Sequence, residues 1–289
     1  MPLLEVMHSR PAVPVLLCAG LALGALSVRL ALPVHYHPQY DKAYLRHLHI
    51  RSAGQLPSVA HRHEVLMGVS DPSCDDGRTN LTRDWEEGAR PYVCPAEQRL
   101  SVVPPIPGRV DCQRRLPDDI PLAHVCMNAS IEYGAGVPTY GHHRPLWPVY
   151  GSYRYLPPQR WLHSVEHGAV VLLHHPCVEP NQLRQLRSLV LRCIFKHVVT
   201  PSLRVDRQRP LVLIAHGCAF QMARVSTELV VAFIRARALH GKEGRLAKQG
   251  QFQDQLLRAA AAPPGSDVTD SVLCPFYPNP TASDSLFAE

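Results

Sequence analysis

The sequence predicts an α+β fold: a small mixed sheet with helices on one face, preceded by an irregular cap rich in Cys and Pro. Three observations lead there. Short apolar runs alternate with helix-spaced ones in the order strand, helix, strand, strand, helix between residues 169 and 237. The stretch before them carries turn formers and cysteines but little apolar periodicity. The chain has 289 residues, 46% of them hydrophobic, with 28 prolines, which bounds it to one good core and long irregular connections.

Taken in order, residues 1–33 read as a signal peptide or signal anchor. Arg10 precedes an uncharged run from Pro11 to Val28, closed by Arg29, with the small-x-small triplet Ala25-Leu26-Ser27. One membrane anchor at the N-terminus is the most this pattern allows. Residues 34–130 form the expected extracellular cap. His35, His37, His47, His49, His61 and His63 open it; alternating histidines on a strand face would capture a soft divalent metal, but the preferred reading is a polar segment in which they are incidental. Its later part cannot offset about 1–2 kcal/mol of backbone entropy per residue by burial alone, so disulfides are its expected staple.

Nine cysteines are present. Cys18 lies in the leader, which leaves the even set Cys74, Cys94, Cys112, Cys126, Cys177, Cys193, Cys218 and Cys274. That count fits disulfides of open pairing, formed in the secretory pathway, with the main domain lumenal or extracellular. No Cys-x-x-Cys occurs, against a thioredoxin-type site or zinc ribbon. Cys177 beside His174 and His175 is read as disulfide-bonded rather than as a nucleophile. The triplets Asn80-Leu81-Thr82 and Asn128-Ala129-Ser130 are glycosylation acceptors at Asn80 and Asn128.

Residues 131–245 are the expected α+β domain. Residues 169–173 form a strand, and residues 181–192 place Leu183, Leu186, Leu189 and Val190 on one helical face. Residues 196–200 and 211–215 are further strands. A second amphipathic helix carries Leu229, Val230, Phe233 and Ile234, with Ser226 as its N-cap. Residues 246–289 are read as a helix at 251–262 followed by a Pro-rich tail pinned by Cys274.

The net charge is +6. Its densest basic run, 235–248, lacks aromatics and is interrupted by Glu243, which disfavours nucleic acid as a partner. A protein partner is expected, of unknown identity.

The chemistry concentrates in His163-Ser164-Val165-Glu166-His167-Gly168, set against the start of the 169–173 strand. With His143 from the loop 134–143, these side chains form a candidate polar network: His143, His163, Glu166 and His167. The bland reading is a hydrogen-bonded knot that fastens the loop to the strand. The sharper one is a zinc or copper site with His143, His163 and His167 as ligands and Glu166 orienting a ring. The spacing is also the inverted zincin pattern, with Glu243 as a distant third ligand. Gly168 and the β-branched run behind it argue instead for a turn, too short to hold histidines one helical turn apart. No catalytic residue is assigned, because nucleophile-elbow, phosphate-loop and dinucleotide patterns are missing from the sequence.

These motifs carry a resemblance. The runs 137–143 and 151–153, Trp161 to Gly168, and Ala215-His216-Gly217 follow, in order, a family of bacterial exported proteins, domain of unknown function 3105. The similarity covers about residues 131–243. Cys74-Asp75-Asp76-Gly77 and Tyr92-Val93-Cys94-Pro95 look like the animal branch of that family, a p53-inducible type described as a growth-restraining membrane protein. The resemblance implies an exported or membrane-tethered binding or interaction domain, growth-regulatory like the animal branch. A metal-binding protein, or a metal-dependent enzyme, is the alternative.

Overall fold

The computed structural model describes residues 71–85, 92–100, 106–113, 122–244 and 248–277, all within the compact unit Ala31–Glu289. The expected leader, Cys18, and the histidine tract at 35–63 lie outside the described residues.

Seven strands form one mixed sheet: β1 Arg109–Cys112, β2 Gly151–Tyr153, β3 Val170–His174, β4 His197–Pro201, β5 Leu211–Ala215, β6 Cys218–Met222 and β7 Leu256–Ala259, ordered β1-β6-β5-β3-β4-β2-β7. β4 is parallel to both of its neighbours, β3 and β2, and the other pairings are antiparallel. Three helices join them: α1 Pro158–Glu166, α2 Pro180–Cys193 and α3 Thr227–Arg237. The class is α+β, as the periodicity predicts.

Side-chain alternation divides the core in two. Val170, Leu172, Leu211, Leu213 and Ala215 face α2 and α3, through Leu186, Val190, Val230 and Phe233. The intervening Val171, Leu173, Val212 and Ile214 face the other way, onto Trp161, Leu162 and Val165 of α1. The single helical layer expected from sequence is therefore α2 and α3, while α1 lies across the opposite face. Burial on both faces explains why β3 and β5 read as continuous apolar runs instead of alternating ones.

The helix starts are set locally. Pro158 and Pro180 occupy first-turn positions, where a missing N–H costs nothing. The Glu179 carboxylate accepts from Asn181 N and Gln182 N, and Ser226 Oγ accepts from Leu229 N at 3.3 Å.

The structure corrects two expectations. The 251–262 segment is not a helix: it contains β7, paired antiparallel with β2. Its helix-favouring composition yields to the open edge of β2, and Gln255 takes a left-handed φ of 61° at the strand entry. β1, drawn from the stretch read as irregular cap, pairs with β6 and completes the other sheet edge.

Disulfides join Cys74–Cys126, Cys94–Cys177, Cys112–Cys218 and Cys193–Cys274, using every cysteine outside the leader. They point to an oxidising, extracellular-type environment. Among the described residues, no helix is long and apolar enough to cross a membrane.

The 71–85 segment is also locked by charge. Arg144 pairs through Nε and Nη2 with Asp84, and its Nη1 donates to Val125 O (3.1 Å) and Cys126 O (2.6 Å). Arg160, on α1, holds Asp75 with both terminal nitrogens and donates to Leu146 O at 2.9 Å.

Candidate metal centre

His163 and His167 sit one turn apart, because α1 runs as far as Glu166 and His167 forms its C-cap. The sequence reading of this stretch as a turn is thus overturned. Nine residues of helix, started by Pro158 and packed through Trp161, Leu162 and Val165, hold the pair. The two imidazoles stack at 5.0 Å with planes 20° apart. Gly168 then turns the chain into β3 with φ +78°, and a Cβ there would lie 2.6 Å from Leu239 Cα. That close approach admits the 239–244 turn, which docks through Leu239 N to Gly168 O and Glu243 N to Glu166 O, both 2.9 Å. Glu243 is delivered to the site by this docking.

From the other side come His143 and His124. A parallel bridge joins their backbones, with Val125 N donating to His143 O at 2.9 Å. Ring centroids lie 4.6 Å apart for His143 and His163, 4.6 Å for His124 and His163, and 5.1 Å for His124 and His143. Trp147 roofs the group, 4.2 Å from His167 and 4.9 Å from His163.

Tautomers follow from the hydrogen bonds. His163 Nδ1 is 2.7 Å from Arg144 O and His143 Nδ1 is 2.9 Å from Gly141 O. A carbonyl only accepts, so both Nδ1 atoms carry protons and both Nε2 atoms face the cluster. Neither Nε2 makes a hydrogen bond, although both side chains are buried. Burial first, and then the neighbouring His143, His124 and His167, hold the His163 ring well below its ordinary pKa. His163 is therefore neutral, with an exposed lone pair inside a closed cluster.

Glu166 Oε2 stands 3.4 Å from His143 Nε2. Burial alone would raise its pKa, but the adjacent His143 ring, with His216 and His124, outweighs that, and the carboxyl is held below its ordinary value. On the opposite side His167 Nε2 and Glu243 Oε2 are 3.2 Å apart. Burial and the Lys196 ammonium lower His167 to about 4, while burial and the Glu166 charge raise Glu243. Both groups are thus pushed toward their neutral forms, and their short separation is not an ordinary ion pair.

Two sets of donors have ligand atoms within 4.8 Å of one another: His124, His143 and His163, and His163, His167 and Glu243. The triad expected from sequence, His143, His163 and His167, is thus split between two sets that share His163. Glu166 turns toward His143. His142 is spent elsewhere, its Nδ1 accepting from Ala123 N at 2.9 Å. His216, in a T-shaped contact with Tyr140 at 5.5 Å, lies at the margin near Glu166. His174 and His175 lie at the far end of β3, where His175 Nδ1 accepts from Cys177 N.

Sequence reasoning missed His124. It stands alone in Leu122-Ala123-His124-Val125-Cys126, and only its bridge to His143 brings it in. Trp147 was likewise invisible. Asn80 and Asn128 are both exposed, and Arg83 Nη1 reaches Ser130 Oγ of the second acceptor triplet at 3.4 Å.

Residues 124–250 match the model of a family described as a protein of unknown function, DUF3105. The matched span contains every member of both donor sets. No curated protein and no solved structure matches the chain.

Proposed function

We propose that this is an exported, disulfide-stapled domain that binds a divalent transition-metal ion, zinc or copper, at the histidine cluster centred on His163. One observation carries the reading: a neutral, fully buried imidazole whose Nδ1 proton is committed to a backbone carbonyl, and whose Nε2 lone pair meets other imidazoles without a donor. A metal-ligating histidine typically gives its second nitrogen to a carbonyl in this way, which fixes ring and tautomer. Imidazole with carboxylate suits zinc and copper, and the cysteines that might have offered thiolate are bonded to one another. The imidazoles of His143, His163 and His167 are at most 1% exposed, an enclosure that favours holding an ion over turning over a substrate.

The test is metal content of protein made through a secretory route. One equivalent of zinc or copper is expected in the wild type and none in His163→Gln. Wild-type protein free of metal, and unable to take it up on titration, overturns the reading.

A partner-binding role, growth-regulatory as in the animal branch, is the second reading. Val268, Val272 and Phe276 favour it, being apolar, exposed and close together in sequence. A specific protein co-purifying with wild type but not with Phe276→Ser would support it. Export predicts glycans on Asn80 and Asn128, read as a mobility shift after glycosidase treatment; unmodified asparagines in secreted protein would remove that support.

A further inference from the structure

We infer that the bound ion has two overlapping positions, filled one at a time, so that the cluster passes a divalent ion between two rims. This rests on the metal-binding reading above. His163 belongs to both donor sets, yet its Nδ1 is held by Arg144 O, leaving a single nitrogen for coordination. An ion on His124, His143 and His163 therefore excludes one on His163, His167 and Glu243. The first position has the Glu166 carboxyl group beside His143, and the second has that of Glu243 among its ligand atoms, so each has one carboxyl group that a buried cation can pair with on giving up its proton.

The exposure pattern gives the arrangement a direction. Each set contains two buried members and one partly exposed member, His124 on one side and Glu243 on the other. The common ligand, His163, is wholly buried between them. An ion entering at one rim reaches the other by exchanging His124 and His143 for His167 and Glu243 while it keeps its bond to His163. Only coordinate bonds form and break, and the charge of the ion does not change. The two positions differ in strength, because the Lys196 ammonium lies on the second side, its Nζ donating to Gly244 O at 2.8 Å and to His167 O at 3.4 Å. A cation is held less tightly there.

Cobalt(II) titration followed by its visible absorption, with zinc competition, tests this on the secreted protein. His124→Ala and Glu243→Ala avoid the fully buried residues. Wild type is expected to bind one Co2+. Glu243→Ala should bind nearly as tightly, through the first position. His124→Ala should still bind one ion, weakened by roughly tenfold to a hundredfold. The double variant should lose binding, because Glu243 matters only once His124 is gone. Two ions in the wild type, or a Glu243 substitution without effect in the His124→Ala background, overturns the two-position inference. So does loss of binding in Glu243→Ala alone. A wild type that binds no metal fails the underlying reading instead.

Discussion

The helix α1 separates two buried polar regions that look alike by burial and differ in how their atoms are paired. At its start, Arg160 and the neighbouring Arg144 are at most 1% exposed, and each meets an aspartate and a backbone carbonyl. One turn later, His163 and His167 are as deeply buried, yet three of their four ring nitrogens make no hydrogen bond. The arginine side is a finished structural clamp, since each charge was desolvated together with its counter-charge. The histidine side holds an excess of acceptors over donors, an arrangement that burial penalises until a cation supplies the missing partner. Counting buried polar residues would rank the two regions equally, whereas counting their unpaired atoms separates fastening from binding.

If the clamp is structural, breaking it has the largest effect. Asp75→Ala leaves the Arg160 guanidinium buried without its counter-charge, and removing one member of such a pair costs about 3–5 kcal/mol. Denaturant unfolding should show that loss regardless of added metal. A change under about 1 kcal/mol would mean that the clamp is solvated and the contrast with the histidines unfounded.

A buried histidine outside the cluster gives the next comparison. His197, on β4, is 2% exposed and has its Nδ1 bonded to Ile194 O at 2.8 Å. Burial, its largest influence, lowers its pKa from 6.5 to about 4. The unfolded chain then takes up a proton that the folded chain refuses, so stability falls as pH drops from about 6.5 to about 4 and levels off below. The loss is on the order of 3 kcal/mol. His197→Gln should flatten that part of the pH–stability curve, with or without metal. An unchanged slope would show that His197 is accessible to protons in the fold.

Metal itself should act only on the histidine side. At a free concentration of about a hundred times Kd, a ligand that binds the folded state alone adds roughly 2.7 kcal/mol. That increment is expected for zinc or copper in the wild type and in Asp75→Ala. It should vanish in His163→Gln, as read from paired melts with and without chelator. Equal stabilisation of the His163 variant would place the metal elsewhere.

The two regions were unequally legible in the sequence. Leu186, Leu189 and Val190 announce α2 through a 3.6-residue period, and the 211–215 run announces β5, because local pattern and tertiary burial agree there. α1 stayed hidden: its apolar stripe is only Trp161, Leu162 and Val165, and the polar His163, Ser164 and Glu166 between and beside them are buried as well, so nine residues offer too short a period to read. β7 was concealed by alanines that favour helix, a preference overridden by the free edge of β2. At the site, His143, His163, Glu166 and His167 stood out by proximity or adjacency to a strand. His124 reaches it only through the bridge to His143, which no spacing encodes, and Glu243, which the sequence offers only as the distant ligand of the inverted zincin pattern, arrives through the docking of the 239–244 turn.

The smallest effect is expected farthest from both regions, and it checks the compartment that makes the comparison meaningful. Asn80 and Asn128 are exposed, outside the core clusters, so Asn→Gln at either should change stability by less than about 0.5 kcal/mol. Each should remove one glycan from the secreted protein, and the double variant both. The compartment matters because a reducing environment would open the four disulfides, free eight thiols, and offer sulfur ligands that outcompete imidazole for zinc or copper. On the metal-binding reading, the histidine cluster competes for an ion only where those thiols stay oxidised. Loss of glycans with metal content unchanged would therefore leave the site intact, whereas free thiols in the native secreted protein would remove the chemical reason for an all-nitrogen-and-oxygen centre.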